Sequence, residues 1–261
     1  MGTLEHYRDV EFEHWSTRSK LNTAEDILLE RYLDPRGATV EAGTGGGAIL
    51  HELRRRGYAR LHGFDVVPEM VEAARRRDAS GTIDFRVQDA ARLEYPDGAF
   101  DQALYLAAVL CFVEDSAARS RALREAHRIL RPGGTALFSF LCLDGRLRIP
   151  AFAAYARYLA LLRRVRGALR SPQLLPWLRR RGRPNLRALL DVGPHVYWYR
   201  LPEAAAALVA AGFRIVAAGG AAHLQRGEIA DDAARLDAGD VGTTVYFVCA
   251  KDASAGERVP A

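Results

Sequence analysis

The sequence predicts an α/β fold: a mostly parallel sheet, doubly wound with helices on both faces, carrying a helical insertion. Three observations carry this. Short apolar runs alternate with helix-period stretches between residues 36 and 143. The alternation stops at Asp144, where an Arg-rich stretch begins, and resumes at Leu201. The last two apolar runs have no helix-length crossover between them, so they are expected to pair antiparallel.

Each element has its own signal. Residues 17–33 read as one helix, with Leu21, Ile27, Leu28 and Tyr32 at helical spacing and Asp34-Pro35 as the stop. "GATVEAG" is a first buried strand, and "GAILHELRRRG" is a helix ended by Gly57. "RLHGFDVV" is a second strand, followed by a helix with Pro68 in its first turn. "IDFRVQDA", "FDQALYLAAV" and "TALFSFLCL" supply three more strands, with a helix through "SAARSRALREAHRIL" before the last. After the insertion come the helix "LPEAAAALVAAGF" and the strands "RIVAAGGAA" and "TTVYFVCAK". The division expected is an N-terminal helical lid (1–35), a core (36–143), the insertion (144–200), a second core part (201–251) and a disordered tail (252–261).

The totals narrow the function classes. With 261 residues and 49% hydrophobic content, the chain can bury a sizeable core. No apolar run approaches the roughly 18 residues of a spanning helix, and the charged N-terminus lacks an apolar signal centre. A cytoplasmic soluble protein is the expectation. Cys111, Cys142 and Cys249 are scattered in apolar surroundings, neither a disulfide framework nor a metal pair. The seven histidines form no ligand-spaced pair, so no metal is expected.

The stretch Thr39 to Leu50, "TVEAGTGGGAIL", carries four glycines in five residues with Glu41 beside them. Such a turn lets a ligand touch backbone and aims helix N–H groups at it. Gly43, Gly45 and Ala48 satisfy a dinucleotide spacing. Glu41, Gly43, Gly45 and Gly47 satisfy the alternative spacing E-x-G-x-G-x-G. Asp65, ending the second strand, can accept hydrogen bonds from both ribose hydroxyls. "VQDA" sets Gln88, Asp89 and Ala90 at the end of the third strand, where an adenine ring would lie.

With the glycine loop, Asp65, "QDAARLEYPDGAFD" and "HRILRPGGTALFS" in this order, the chain resembles the class I S-adenosylmethionine-dependent methyltransferases of the small-molecule type over residues 36–142 and 201–251. The resemblance implies a Rossmann-like sheet of seven strands with the last antiparallel, and S-adenosyl-L-methionine as cofactor. It carries Glu41, Gly43, Thr44 and Gly45 to the methionine end, Asp65 and Val66 to the ribose, and Gln88, Asp89 and Ala90 to the adenine. Many relatives have His where Cys111 stands, which leaves the base unassigned. A dinucleotide phosphate would be repelled by Glu41, which argues against an oxidoreductase.

Methyl transfer asks for alignment of a nucleophile and exclusion of water. The acceptor is expected to be a small molecule with an O or N nucleophile. The N-terminal segment offers Tyr7, His14 and Trp15, and "PHVYWYR" offers His195, Tyr197 and Tyr199 on one face of an extended segment. His195 is the base candidate, with a structural histidine as the competing reading. Tyr105 and Leu106, ending the fourth strand, are expected to face the cofactor region.

The insertion holds twelve arginines and no acid between Asp144 and Asp191. Its readings are a solvated face, an anionic-acceptor site, or a nucleic-acid or membrane contact. Phe152, Tyr155, Leu159, Leu162, Val165 and Leu169 form an apolar stripe, with Arg157, Arg163 and Arg164 off it. A mostly helical cap over the acceptor pocket is the expectation. No nucleic-acid module is present in the sequence, so none is expected as partner.

Overall fold

The computed structural model describes residues 12–113, 115–180, 183–230, 236–237 and 240–253. Tyr7 and most of the expected tail lie outside them. Parallel strands β1 (Thr39–Ala42), β2 (Leu61–Asp65), β3 (Asp84–Val87), β4 (Phe100–Tyr105) and β5 (Leu130–Leu141) alternate with helices. The helices between them are α3 (Ala48–Arg55), α4 (Pro68–Arg77) and α5 (Ser116–Ile129), preceded by α1 (Phe12–Thr17) and α2 (Thr23–Tyr32).

The single helix expected over 17–33 begins only at Thr23; Thr17 ends the separate helix α1, and residues 18–22 are not helical. Asn22 breaks it: its side chain accepts from the Glu25 N–H while the Glu25 carboxylate accepts from the Asn22 N–H, a reciprocal cap that starts α2 afresh. Asp115 caps α5 with a one-way cap, accepting from the Ala117 and Ala118 N–H groups.

Beyond β5 come α6 (Leu143–Leu147), α7 (Pro150–Val165), β6 (Leu174–Pro176), β7 (Arg179–Arg180), β8 (Arg183–Pro184), β9 (His195–Tyr197), α8 (Leu201–Ala210), β10 (Arg214–Gly220), α9 (Ala221–Arg226) and β11 (Thr244–Ala250). The main sheet has seven strands in the order β10-β11-β5-β4-β1-β2-β3. β11 runs antiparallel to both neighbours, and the rest of β1–β5 is parallel. β1 and β4 are adjacent, but the chain leaves them toward opposite sheet edges. That divergence opens a crevice beyond their C-terminal ends, where open α/β sheets take ligands.

One core packs on each face. Phe64, Tyr105, Phe138, Phe140 and Phe247 fill one side, and Leu28, Ile49, Leu50, Leu104 and Leu137 the other. The alternation of side chains along β4 splits Tyr105 and the following Leu106 between these two cores, so they do not jointly face the crevice.

The insertion is about a third α-helix, not mostly helix. β6 pairs antiparallel with β9, and a short hairpin of β7 and β8 lies between them. Leu143, Phe152, Leu159 and Leu175 give it a small core of its own. The helical stripe therefore divides. Phe152 and Leu159 are buried, whereas Val165 and Leu169 are 77% and 106% exposed. Prolines and glycines after Val165 end the helix before its stripe can be covered.

Candidate functional site

The glycine loop sits at the mouth of the crevice, between β1 and α3. Gly43, Gly45 and Gly47 all have positive φ, +61°, +54° and +77°. An L side chain there is strained. Space is also short: a Cβ on Gly43 would overlap Val109, and one on Gly45 would press the Trp15 carbonyl at 3.3 Å.

The loop spends its own N–H groups inside the protein. Thr44 donates to the Phe64 carbonyl at 3.0 Å, Gly46 to the Trp15 carbonyl at 3.1 Å and Gly47 to the Thr44 carbonyl at 2.8 Å. The Gly45 N–H donates to Asp65 Oδ2 at 3.0 Å. Four successive loop N–H groups, those of residues 44 to 47, are thus used within the protein and are not offered to an anion.

What the loop does offer is carboxylate. Glu41 is 5% exposed and accepts from Thr44 Oγ1 at 2.7 Å. Burial pushes its pKa up to about 8, against the opposing pull of the Thr44 hydrogen bond and the Arg18 charge. An acid held in that way invites a cation, which would restore its ionised form. Asp65 accepts from Gly45 N–H and, at 3.0 Å, from Val67 N–H. Burial again raises its pKa, and those backbone bonds oppose the rise. Each of its oxygens keeps a lone pair for a hydroxyl donor.

The third wall follows from β3. The Gln88 N–H donates to the Asp65 carbonyl at 3.1 Å, tying the two strand ends together. Gln88 Oε1 accepts from Glu94 N–H, while its buried Nε2 has no partner among the described residues. Asp89 is exposed and turns back to accept from Ala91 N–H at 2.8 Å; Ala90 is half-buried beside it. Val66 and Val87 stand 42% and 48% exposed at the rim, an apolar edge suited to a flat ring. Val87 escaped the sequence reading because a strand-end valine carries no signal until its exposure is known.

The N-terminal helix closes the loop from above. Trp15 packs on Gly45, and its buried Nε1 lacks a partner among the described residues. Arg77 Nη1 holds this helix in place, donating to the carbonyls of Ser16 (3.0 Å), Arg18 (2.9 Å) and Gly46 (2.8 Å). Arg77 and Arg18 were also missed: both sit in arginine-bearing stretches whose composition does not single them out. His14 is exposed, edge-on to Trp15 at 5.0 Å.

On the other side of the crevice, Ala107 and Ala108 take left-handed φ values of 53° and 56° directly after β4. Such conformations in non-glycine residues persist where surrounding contacts enforce them. Here the Ala108 N–H donates to Ser139 Oγ at 2.8 Å, and Val109 is driven against Gly43. Leu106 is buried at 3% exposure in the sheet core. Cys111 is fully buried, and its Sγ accepts from Leu141 N–H.

The three residues of "PHVYWYR" do not form one catalytic group. Tyr199 packs on Phe140 at 4.7 Å and on Tyr197 at 4.8 Å. Tyr197 donates to Glu203 at 2.5 Å, beneath the Arg119 guanidinium 3.7 Å from its ring centre. Burial pushes the Tyr197 phenol up to about 12, and Tyr199 is raised by the same cause. His195 belongs to a separate buried cluster, with Arg170 Nη1 at 2.6 Å and Asp191 Oδ1 at 3.4 Å from its Nε2.

Loop, paired acids and apolar rim match what a sulfonium nucleoside needs: a carboxylate for an ammonium, an acceptor for ribose hydroxyls and a slot for a flat base. Comparison with known proteins agrees. A family described as a methyltransferase domain matches residues 40–138. The ubiquinone biosynthesis O-methyltransferase of Xanthomonas axonopodis pv. citri is 30% identical over 176 residues, 62% of this chain and 69% of that one. The ubiquinone/menaquinone biosynthesis C-methyltransferase of Desulfotalea psychrophila is 36% identical over 110 residues, 41% of each chain, so less than half of that relative's length is matched. A crystal structure of an S-adenosylmethionine-dependent methyltransferase from Methanosarcina mazei superposes with TM-score 0.65 at 19% identity, covering 90% of this chain and all of that one, which speaks to the fold. The chain belongs to the class I S-adenosylmethionine-dependent methyltransferase family.

Proposed function

We propose that the chain transfers a methyl group from S-adenosylmethionine to an O or N nucleophile of a small, anionic acceptor. The observation that carries this is the glycine loop, with four of its N–H groups spent internally, Glu41 buried on one side and Asp65 half-buried on the other. That loop favours a ligand with an ammonium and a ribose over one with a pyrophosphate. S-adenosylmethionine, when bound, supplies a methyl already activated by its sulfonium.

In this reading Glu41 ionises toward the amino-acid end of the ligand, directly or through water. Asp65 accepts from ribose hydroxyls while holding Gly45 in place. Val66 and Val87 flank the base, and Gln88 to Ala90 line its edge. Trp15 and the N-terminal helix exclude water from the reacting end. Residues 144–200 cap the acceptor side, since they leave the sheet at the end of β5 and return where Tyr199 N–H donates to the Leu141 carbonyl at 2.9 Å.

An acceptor that ionises near neutrality needs no protein base. His195, engaged by Asp191 and Arg170, is accordingly left out of the reaction. Curated relatives act in ubiquinone and menaquinone biosynthesis, so acidic phenols of quinone-precursor type head the candidate acceptors. The test is incubation with tritiated-methyl S-adenosylmethionine and such phenols, with S-adenosylhomocysteine measured alongside. Stoichiometric labelled product and S-adenosylhomocysteine are expected. Tight cofactor binding with neither product across the acceptor set would favour a binding protein or a different chemistry.

A further inference from the structure

The exposed aliphatic side chains of this protein are concentrated on one face of the insertion. Leu161, Val165 and Leu169, on α7 and its exit, are 62%, 77% and 106% exposed. Leu186, Leu189 and Leu190, on a 3₁₀ turn, are 73%, 48% and 53% exposed. Hydrogen bonds hold the turn alongside the helix: Tyr155 Oη donates to the Ala188 carbonyl, Tyr158 Oη to that of Leu189 and Arg166 Nη1 to that of Leu190, at 2.9, 2.8 and 2.8 Å. The two sets of leucines therefore form one surface. At helical spacing, Tyr158, Leu161 and Val165 share a stripe, and Arg157 and Arg164 flank it on the side away from the turn.

Charge on this surface has one sign. Arg157, Arg164, Arg166, Arg170 and Arg187 are exposed, and the sequence has no acid between Asp144 and Asp191. Asp191 itself is consumed by the buried Arg163, which bonds both its oxygens at 2.6 and 2.8 Å. Between helix and turn lies a cavity of about 370 Å³ whose lining includes Arg163, Arg166, Arg170, Leu169, Val192 and the Arg163-paired Asp191. Each of those arginines spends one terminal nitrogen on the protein, Arg166 on Leu190 and Arg170 on Asp191 and His195. Among the described residues, their remaining donors are available to an anion.

We propose that this face docks on an anionic phospholipid bilayer, with the leucines entering the acyl boundary and the cavity taking a lipid phosphate. Protruding aliphatic side chains ringed by arginine are the pattern of an interfacial surface. A second copy of the chain is a poor occupant, because two-fold pairing would set arginine against arginine with no acid between. The inference does not depend on the identity of the methyl acceptor. It would, however, set the acceptor side of the enzyme beside a membrane.

The experiment is co-sedimentation of the full chain with phosphatidylcholine vesicles, with and without one-third phosphatidylglycerol. Binding to the anionic vesicles should exceed binding to neutral ones at least tenfold and weaken steeply with salt. A Leu169→Glu, Leu186→Glu double variant and an Arg164→Glu, Arg166→Glu double variant should each lose at least tenfold, with thermal unfolding showing that they remain folded. Each arginine near such a surface accounts for about fivefold. Failure of the wild type to prefer anionic vesicles would overturn the proposal, as would full binding by both variants. It would also be overturned by binding of inorganic phosphate without vesicle binding, or by a dimer in light scattering that the same leucine substitutions dissolve.

Discussion

Glu41 shows how far one residue's environment can be read as function. Its pKa of about 8 lies above the ordinary carboxylate value of 4.5, so its folded form favours the proton. The stability this permits is fully present below about 4.5 and is lost as pH rises through about 8. The ligand-free protein should therefore melt lower at mildly alkaline pH than at mildly acidic pH, and Glu41→Gln should flatten the difference. A ligand ammonium would pull the proton off, so calorimetry at neutral pH in buffers of different ionisation enthalpy should show proton release on binding that Glu41→Gln abolishes. Asp65 gives a second residue-scale expectation. A hydrogen bond to a charged group contributes about 1.5–3 kcal/mol, so Asp65→Ala should raise the S-adenosylhomocysteine Kd roughly 10- to 150-fold. An unchanged Kd would take Asp65 away from the ribose. Gly45→Val should abolish binding, because φ of +54° and the Trp15 carbonyl leave a branched side chain no place. Normal affinity in that variant would leave the loop a purely structural turn.

Elements were legible in proportion to how locally they are specified. The alternating strands and helices announced themselves because each has its own period and stop signals. The break at Asn22 was readable in principle, since Asn22 and Glu25 form a capping pair, but the apolar spacing on either side concealed it. The insertion was misread for a physical reason. Its strands are two or three residues long, and periodicity cannot show over so few positions. Arg163 illustrates the cost: its sequence context matches the solvated arginines around it, yet it is 5% exposed and holds Asp191, Ser171 and Leu174 together. Arg163→Ala would leave Asp191 only its longer contacts to Arg170 and His195, a loss short of the roughly 3–5 kcal/mol of a fully stranded buried charge. Deuterium exchange should then rise across residues 171–197 while β1 to β5 stay protected. For the N-terminal helix, Arg77→Ala removes the donor to three carbonyls. It should speed tryptic cleavage at Arg18 and Lys20 and weaken cofactor retention, with little change in the melting of the sheet.

At the scale of the whole molecule, the fold tells where a ligand binds, and the loop tells what kind. The switch between β1 and β4 is shared by dinucleotide enzymes and methyltransferases alike, so topology alone cannot divide them. The division comes from Glu41 and from the internal use of four successive loop N–H groups. The acid was visible in the sequence; the hydrogen bonding was not, because it depends on Phe64, Asp65 and Trp15 reaching the loop from elsewhere in the chain. The acceptor side stayed obscure for the same reason: Tyr197 and Tyr199 look alike in sequence but find Glu203 and Phe140 respectively. The most direct test of the central claim is a calorimetric titration of the protein with S-adenosylmethionine and, separately, with NADH. One S-adenosylmethionine per chain with no heat from NADH is the expected result. Binding of NADH with none of S-adenosylmethionine would contradict it.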